Sequence, residues 1–196
     1  MLSKTNPNQN MTMNKTYLFL ADGFEEIEAI ATLDLLRRAG VNAVTVSINE
    51  TLAVKGAHGV EVAADELIAD VNLEEANMLI TPGGMPGSSN LAANAKLCEM
   101  LSAQNAREGK IAAICAAPAV VLAPLGILEG HDATCYPGFE GALKAGGAYH
   151  KNQRVVVDRN IITANGPSSA IPFALSIIEA LKGQDAADKV AAGILL

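Results

Sequence analysis

The apolar positions of this chain fall into blocks that switch period. Thr16–Leu20 (TYLFL) is a short, nearly unbroken apolar run, the pattern of a strand buried on both faces. From Glu25 to Gly40 (EEIEAIATLDLLRRAG) apolar residues return every three or four positions. That spacing predicts a helix closed by Gly40, with Arg37 and Arg38 in its last turn. Val41–Ile48 predicts a second strand, and Thr51–Val62, with Gly56 and Gly59, a small hairpin. Met78–Gly84 (MLITPGG) reads as a third strand running into a glycine turn, Leu97–Glu108 as a helix, and Lys110–Cys115 (KIAAIC) as a fourth strand. Ala117–Leu125 predicts a helix that Pro124 ends or kinks. RVVVD and NIITAN predict two strands turning at Arg159-Asn160. A helix over Ser168–Leu181 and a shorter one from Gln184 follow.

Buried strands alternating with helices predict one doubly wound α/β domain with a mostly parallel sheet. No internal repeat or second domain is visible. Residues 1–14 are polar, lack the apolar segment of a secretory signal, and read as a disordered tail before a domain over 15–196. Cytoplasmic residence is the corresponding expectation. In such sheets ligands bind beyond the carboxyl ends of the strands. Asp22-Gly23, Gly83-Gly84 and Cys115 therefore become site candidates.

Composition narrows the partners. The 196 residues are 50% hydrophobic and 18% charged, with a formal net charge of -7. An acidic chain does not suit nucleic acid or an anionic membrane surface, and no apolar run approaches the roughly 20 residues of a membrane span. Cys98, Cys115 and Cys135 have no paired short spacing, so three free thiols are expected, with neither a disulfide framework nor a zinc site.

Cys115 stands where a strand meets a helix. That is the geometry of a nucleophile elbow, here in the frame Ala113-Ile114-Cys115-Ala116-Ala117. The unpaired N–H groups of a following helix would stabilise a thiolate and lower its pKa from about 8.5. Ala116 N–H is placed to donate to an oxyanion. The competing reading, a small buried hydrophobe, is set aside because of the elbow position. Gly83-Gly84 allows close backbone approach and a second set of donors; a simple tight turn is the alternative. Glu25 and Glu26 read as ordinary complements of a helix N-terminus. Glu28 differs, because it lines up with Phe24, Ala31 and Leu35 in an apolar stripe, where desolvation raises a carboxyl pKa. His58, His131 and His150 have no spacing that ties them to Cys115 and read as surface groups. Cys98 reads as structural, and Cys135 as at most a secondary reactive thiol.

ADGFEEIEAI, LITPGGMPG, KIAAICAAPAVVLA and ITANGPSSAIPFALSIIEAL together resemble the DJ-1/ThiJ/PfpI superfamily, most closely its DJ-1/YajL branch, from about Tyr17 to the C-terminus. The resemblance implies a flavodoxin-like, class I glutamine amidotransferase-like three-layer sandwich. It makes Cys115 the reactive cysteine, Glu28 the protonated glutamate bonded to it, and Gly84 and Ala116 the backbone donors. Gly83, Tyr136 and Asn165 are possible accessory positions. It also implies a homodimer without metal or organic cofactor, acting as a glyoxalase or deglycase on small carbonyl compounds. Alternatives within the resemblance are a redox-responsive stress protein or chaperone whose cysteine becomes a sulfinate, and a role labelled thiazole monophosphate biosynthesis. Tyr136 stands where the branch carries a histidine, Asn165 where human-like members carry an arginine, and Ala116 where the peptidase branch has a histidine. A proteolytic Cys-His pair is thereby disfavoured, and a glutaminase-type reading requires a histidine in contact with Cys115.

Overall fold

The computed structural model describes residues 14–196. Of the expected tail only Asn14 falls within that range; the rest lies outside the described residues.

The first strand, β1 (Lys15–Leu20), is the centre of the molecule. Its residues alternate strictly between the two faces of the sheet, as a period of two requires. Tyr17 and Phe19 point into one core layer, and Leu18 and Leu20 into the other. Helix α1 (Glu26–Arg38) then crosses to β2 (Ala43–Ser47), which pairs parallel with β1. The glycine-bearing stretch forms the hairpin β3 (Ala53–Lys55) and β4 (Glu61–Ala63), followed by the two-residue edge strand β5 (Glu66–Leu67). Next come β6 (Ala76–Thr81), α2 (Gly87–Ala93), α3 (Ala95–Ala106) and β7 (Lys110–Ile114). Two-residue strands β8 (Asp132–Ala133) and β9 (Tyr149–His150) flank α4 (Glu140–Ala145). The chain closes with β10 (Val155–Asp158), β11 (Ile161–Ala164), α5 (Ala170–Lys182) and α6 (Gln184–Gly193).

The seven-stranded sheet runs β10-β11-β7-β6-β1-β2-β5, antiparallel only at β10–β11. One core layer packs Leu36 of α1 and Phe173, Ile177 and Ile178 of α5 against Leu18, Met78, Ile80 and Ile162. The other packs Leu91 of α2 and Leu97 and Leu101 of α3 against Phe19, Leu79 and Ile111. This is the three-layer, mostly parallel sandwich that the alternating pattern predicts. Among the described residues no helix is long and apolar enough to cross a membrane.

One element differs in kind from the expectation. The predicted helix over Ala117–Leu125 is not α-helical: Pro118–Leu122 forms a wide π-type turn, in which Ala123 N–H reaches back to the Pro118 carbonyl. A 3₁₀ turn over Ala123–Leu125 follows and ends at Gly126 with φ 70°. Pro118 and Pro124 explain this. Neither has an N–H to give, and the ring of Pro124 obstructs the carbonyl four residues earlier, so a regular ladder cannot form. Helix α2, in the weakly patterned GSSNLAA, has no counterpart in the sequence expectation.

Candidate functional site

In the register of β6 with β7, Thr81 lies beside Ala113, so the segments leaving both strands emerge side by side at one end of the sheet. Cys115 is the first residue after β7 and has φ 67°. An L-residue in that region carries strain on the order of 1–2 kcal/mol, so neighbouring contacts must hold it there. Cys115 N–H donates to the Ala164 carbonyl at 2.8 Å, and its carbonyl accepts from Tyr136 N–H at 2.8 Å. These two bonds fix the turn between β11 and the Tyr136 loop.

Glu28 reaches the same point from the buried side of α1. It is fully buried, and its Oε2 accepts the Gly83 N–H at 2.8 Å. Its Oε1 is buried without a hydrogen-bond partner. Gly83 explains the crowding: a Cβ there would overlap Cys115 Cβ, and would sit 2.5 Å from Glu28 Oε2 and 3.0 Å from Cys115 Sγ. Gly84, with φ 93°, cannot take a side chain either, because its Cβ would strike the Glu25 backbone. The backbone N–H groups of Gly84 and Ala116 lie close enough to the Cys115 sulfur to act as donors that lower its pKa.

Burial pushes the Glu28 carboxyl up to about 7, against lowering by its hydrogen bonds with Cys115 and Gly83. Burial, and then the charge on Glu28, pushes the Cys115 thiol up to about 12, although the two backbone donors act to lower it. These groups titrate as one pair, whose first proton leaves near neutral pH. The sequence expectation of a thiol acidified by a helix N-terminus is therefore corrected. No regular helix begins at Cys115, and desolvation with Glu28 as neighbour outweighs two N–H groups.

The opening above the sulfur is a cavity of about 220 Å³. Met85, Phe139 and Pro167 form its apolar wall, and Tyr136 and Glu25 supply the polar side chains. Cys115 is 8% exposed at its floor and Tyr136 44% exposed at its rim. A larger cavity, about 490 Å³, lies at the opposite end of the sheet near Lys110 and Asn160, away from this chemistry. Asn165 does not line the Cys115 cavity; its Oδ1 accepts from Ser169 Oγ at 2.7 Å. Asp22, at the end of β1, is a structural clamp whose Oδ1 accepts from Lys55 N–H and Asn49 Nδ2.

Among the described residues no histidine lines this cavity. His58 is exposed and pairs with Glu26 at 2.8 Å, which raises its pKa. His131 is buried, contrary to the surface reading, and lies 3.2 Å from Asp158 Oδ2 with its pKa lowered by burial. His150 sits in β9. Cys98 is half-buried, with Sγ 3.3 Å from the Ala92 carbonyl, and burial pushes the Cys135 thiol up to about 11. Among the described residues, the one cluster of potential metal ligands is Glu25, Glu26 and His58. Its carboxylates already accept from Ile27, His58 and Val60 N–H groups. Glu25 is the cavity-lining position that sequence reading missed: its place at the helix start is ordinary, and only the fold turns it onto the cavity wall.

A model described as the DJ-1/PfpI family matches residues 14–180. Protein DJ-1 homolog A of Arabidopsis thaliana is 37% identical over 187 residues, which is 94% of this chain and 47% of that protein. The chain thus spans about half the length of that relative. The glutathione-independent glyoxalase DJR-1.2 of Caenorhabditis elegans is 36% identical over 177 residues, 89% of this chain and 93% of that protein. Among solved structures, oxidized Toxoplasma gondii DJ-1 superposes with a TM-score of 0.88 at 43% identity, covering 92% of this chain and 97% of that one.

The Glu28 shift has a testable sign. A carboxyl whose pKa is raised binds its proton more tightly in the folded state. Its contribution is complete below the unfolded value of 4.5 and is lost as pH rises through about 7. Denaturant unfolding of wild type and Glu28→Gln should show the difference in stability falling by up to about 3 kcal/mol from pH 4.5 to 8. Parallel pH profiles would refute the shift.

Proposed function

This chain belongs to the DJ-1/PfpI family, and from that premise we propose that it is a cofactor-independent enzyme that converts small 2-oxoaldehydes to 2-hydroxy acids through Cys115. The observation that carries the reading is the buried Glu28 carboxyl sharing the space around Gly83 with the Cys115 sulfur. The similarity to a glutathione-independent glyoxalase supports it.

The pair holds a single proton once the first has left. Its reactive arrangement is the tautomer in which the thiol has passed that proton to Glu28 and left the charge on sulfur, with Gly84 and Ala116 N–H groups as donors. The thiolate adds to the aldehyde carbon, and the carbonyl oxygen takes a proton from Glu28 to give a hemithioacetal. Glu28, now ionised, removes the hydrogen on that carbon as a proton and returns it to the adjacent carbonyl carbon, while the hydroxyl proton moves to the second oxygen. The product is the thioester of a 2-hydroxy acid. Water cleaves it, releasing the acid and restoring the thiol, so the net change is addition of one water. No thiol cofactor is required, because the protein supplies the sulfur. A glutaminase-type Cys-His mechanism lacks support, since no histidine stands at the cavity among the described residues.

A second reading is favoured by a different observation: the solved relative at 43% identity is an oxidized form. Two backbone donors and a carboxyl around one sulfur would also hold a sulfinate. A homodimer is part of the proposal as well. Ile27 and Ile30 are 57% and 39% exposed on α1, apolar surface that a second copy would cover.

Lactate should form from methylglyoxal with metal-free protein, and Cys115→Ser should abolish it. Glu28→Gln should lower kcat by about 100-fold or more, within the range of general acid–base contributions. Full turnover by Cys115→Ser would sink the enzymatic reading. Under mild peroxide, intact mass and peptide mapping should place two oxygens on Cys115 before Cys98 or Cys135; even labelling of all three thiols would sink the redox reading. Sedimentation equilibrium should return twice the chain mass of 20.3 kDa, and a concentration-independent monomer would remove the dimer.

A further inference from the structure

The side chains around the Cys115 cavity carry a pronounced charge asymmetry. Glu25 lines it, and among the described residues no lysine, arginine or histidine does. Glu25 is not free to swing away. It caps α1, its N–H donates to the Gly83 carbonyl at 3.0 Å, its Oε1 accepts from Ile27 N–H at 3.4 Å, and its side chain is 12% exposed. Two cations nearby are committed elsewhere. His58 Nδ1 is 3.6 Å from Glu25 Oε2 but 2.8 Å from Glu26 Oε2, so it serves Glu26 first. Arg154, whose carbonyl accepts from Asn165 N–H, aims its guanidinium at the Ser168 carbonyl and the Ser169 hydroxyl. Beneath the cavity Glu28 adds a second acidic group and no positive one.

The geometry points to Glu25 as the residue that sets substrate charge: the cavity accepts uncharged 2-oxoaldehydes and turns away those bearing a carboxylate or phosphate. This rests on the reading of Cys115 as the reacting group. The cavity is small and has a fixed carboxylate in its wall. An anion entering it loses solvation and meets a like charge, with no cationic side chain among the described residues lining the cavity. An uncharged dicarbonyl loses little, and can use the apolar wall of Met85, Phe139 and Pro167.

The test uses two pairs of probes that differ in charge. Alkylation of Cys115 by neutral iodoacetamide and by anionic iodoacetate, followed by peptide mapping, reads the filter without any need for turnover. Wild type should favour iodoacetamide more strongly than a free cysteine thiol does. Glu25→Gln should shrink that preference by about tenfold or more, and Glu25→Asp, which keeps the charge, should retain it. In parallel, the ratio of kcat/KM for 2-oxopentanal over 4,5-dioxopentanoate should fall in Glu25→Gln by a similar factor. A preference equal to that of free cysteine in wild type, or one unmoved by Glu25→Gln, overturns the proposal. Should the alkylation ratio shift while neither dicarbonyl is consumed, the charge filter stands and the enzymatic reading fails. Turnover of both dicarbonyls with an unmoved ratio has the opposite meaning.

Discussion

A carboxyl group sealed from water with a single N–H to meet it is the constraint around which this site is organised. Glu28 is fully buried, and of its two oxygens only Oε2 finds a donor, in Gly83. An ionised carboxylate in that position would be left badly undersolvated, so the acid keeps its proton up to about 7. A neutral carboxyl has an O–H to give, and the Cys115 sulfur is the acceptor beside it. The pairing would fail if Gly83 carried even a methyl group, because that carbon would occupy the space where sulfur and carboxyl meet. The left-handed backbone of Cys115 follows from the same requirement. The chain must leave β7 sharply to lift the sulfur over the sheet, and hydrogen bonds to Ala164 and Tyr136 hold it there.

The topology makes this arrangement attainable. With β6 and β7 adjacent and parallel, the Gly83-Gly84 turn and the Cys115 elbow leave the sheet together. Helix α1 begins just beyond the end of β1, the other neighbour of β6, and its inward stripe packs on α5. Glu28 sits in that stripe two residues after the helix start, near the top of the sheet, where the glycine turn can supply its one donor. Three crossover units thus deliver an acid, a pair of backbone donors and a thiol to one end of the domain.

Much of this was legible in the sequence because each signal was local. Apolar runs marked β1, β6 and β7, and small residues around Cys115 marked a sharp turn. The stripe Phe24, Glu28, Ala31, Leu35 marked a carboxyl in an apolar environment. What escaped depended on distant contacts or on two local rules in conflict. Val120 to Leu122 look helical, yet prolines at 118 and 124 remove the donors that a regular helix needs. Helix α2 has too few apolar positions to show a period, and only Leu91 among its large side chains enters the core. His131 looked like a surface residue in a polar loop, but the Asp158 carboxylate from β10 lies 3.2 Å away and gives it a buried place. The raised pKa of the thiol escapes a local reading for a related reason. The helix-terminus argument counts donors near the sulfur, while the outcome is decided by the desolvation and the acid that folding brings to it.

The same charge pattern bears on both ends of the proposed reaction. A 2-oxoaldehyde enters uncharged and a 2-hydroxy acid leaves as an anion at neutral pH, so the Glu25 carboxylate faces a partner whose charge changes during the cycle. A wall carrying a cation would bind the product more tightly than the substrate, and release would slow turnover. A wall carrying a carboxylate does the reverse. It costs the neutral substrate almost nothing and destabilises the bound product once hydrolysis has created its charge. That no lysine, arginine or histidine among the described residues lines this cavity is then as consequential as the presence of Cys115. The thiol and Glu28 would make the acid, and Glu25 would keep it from staying.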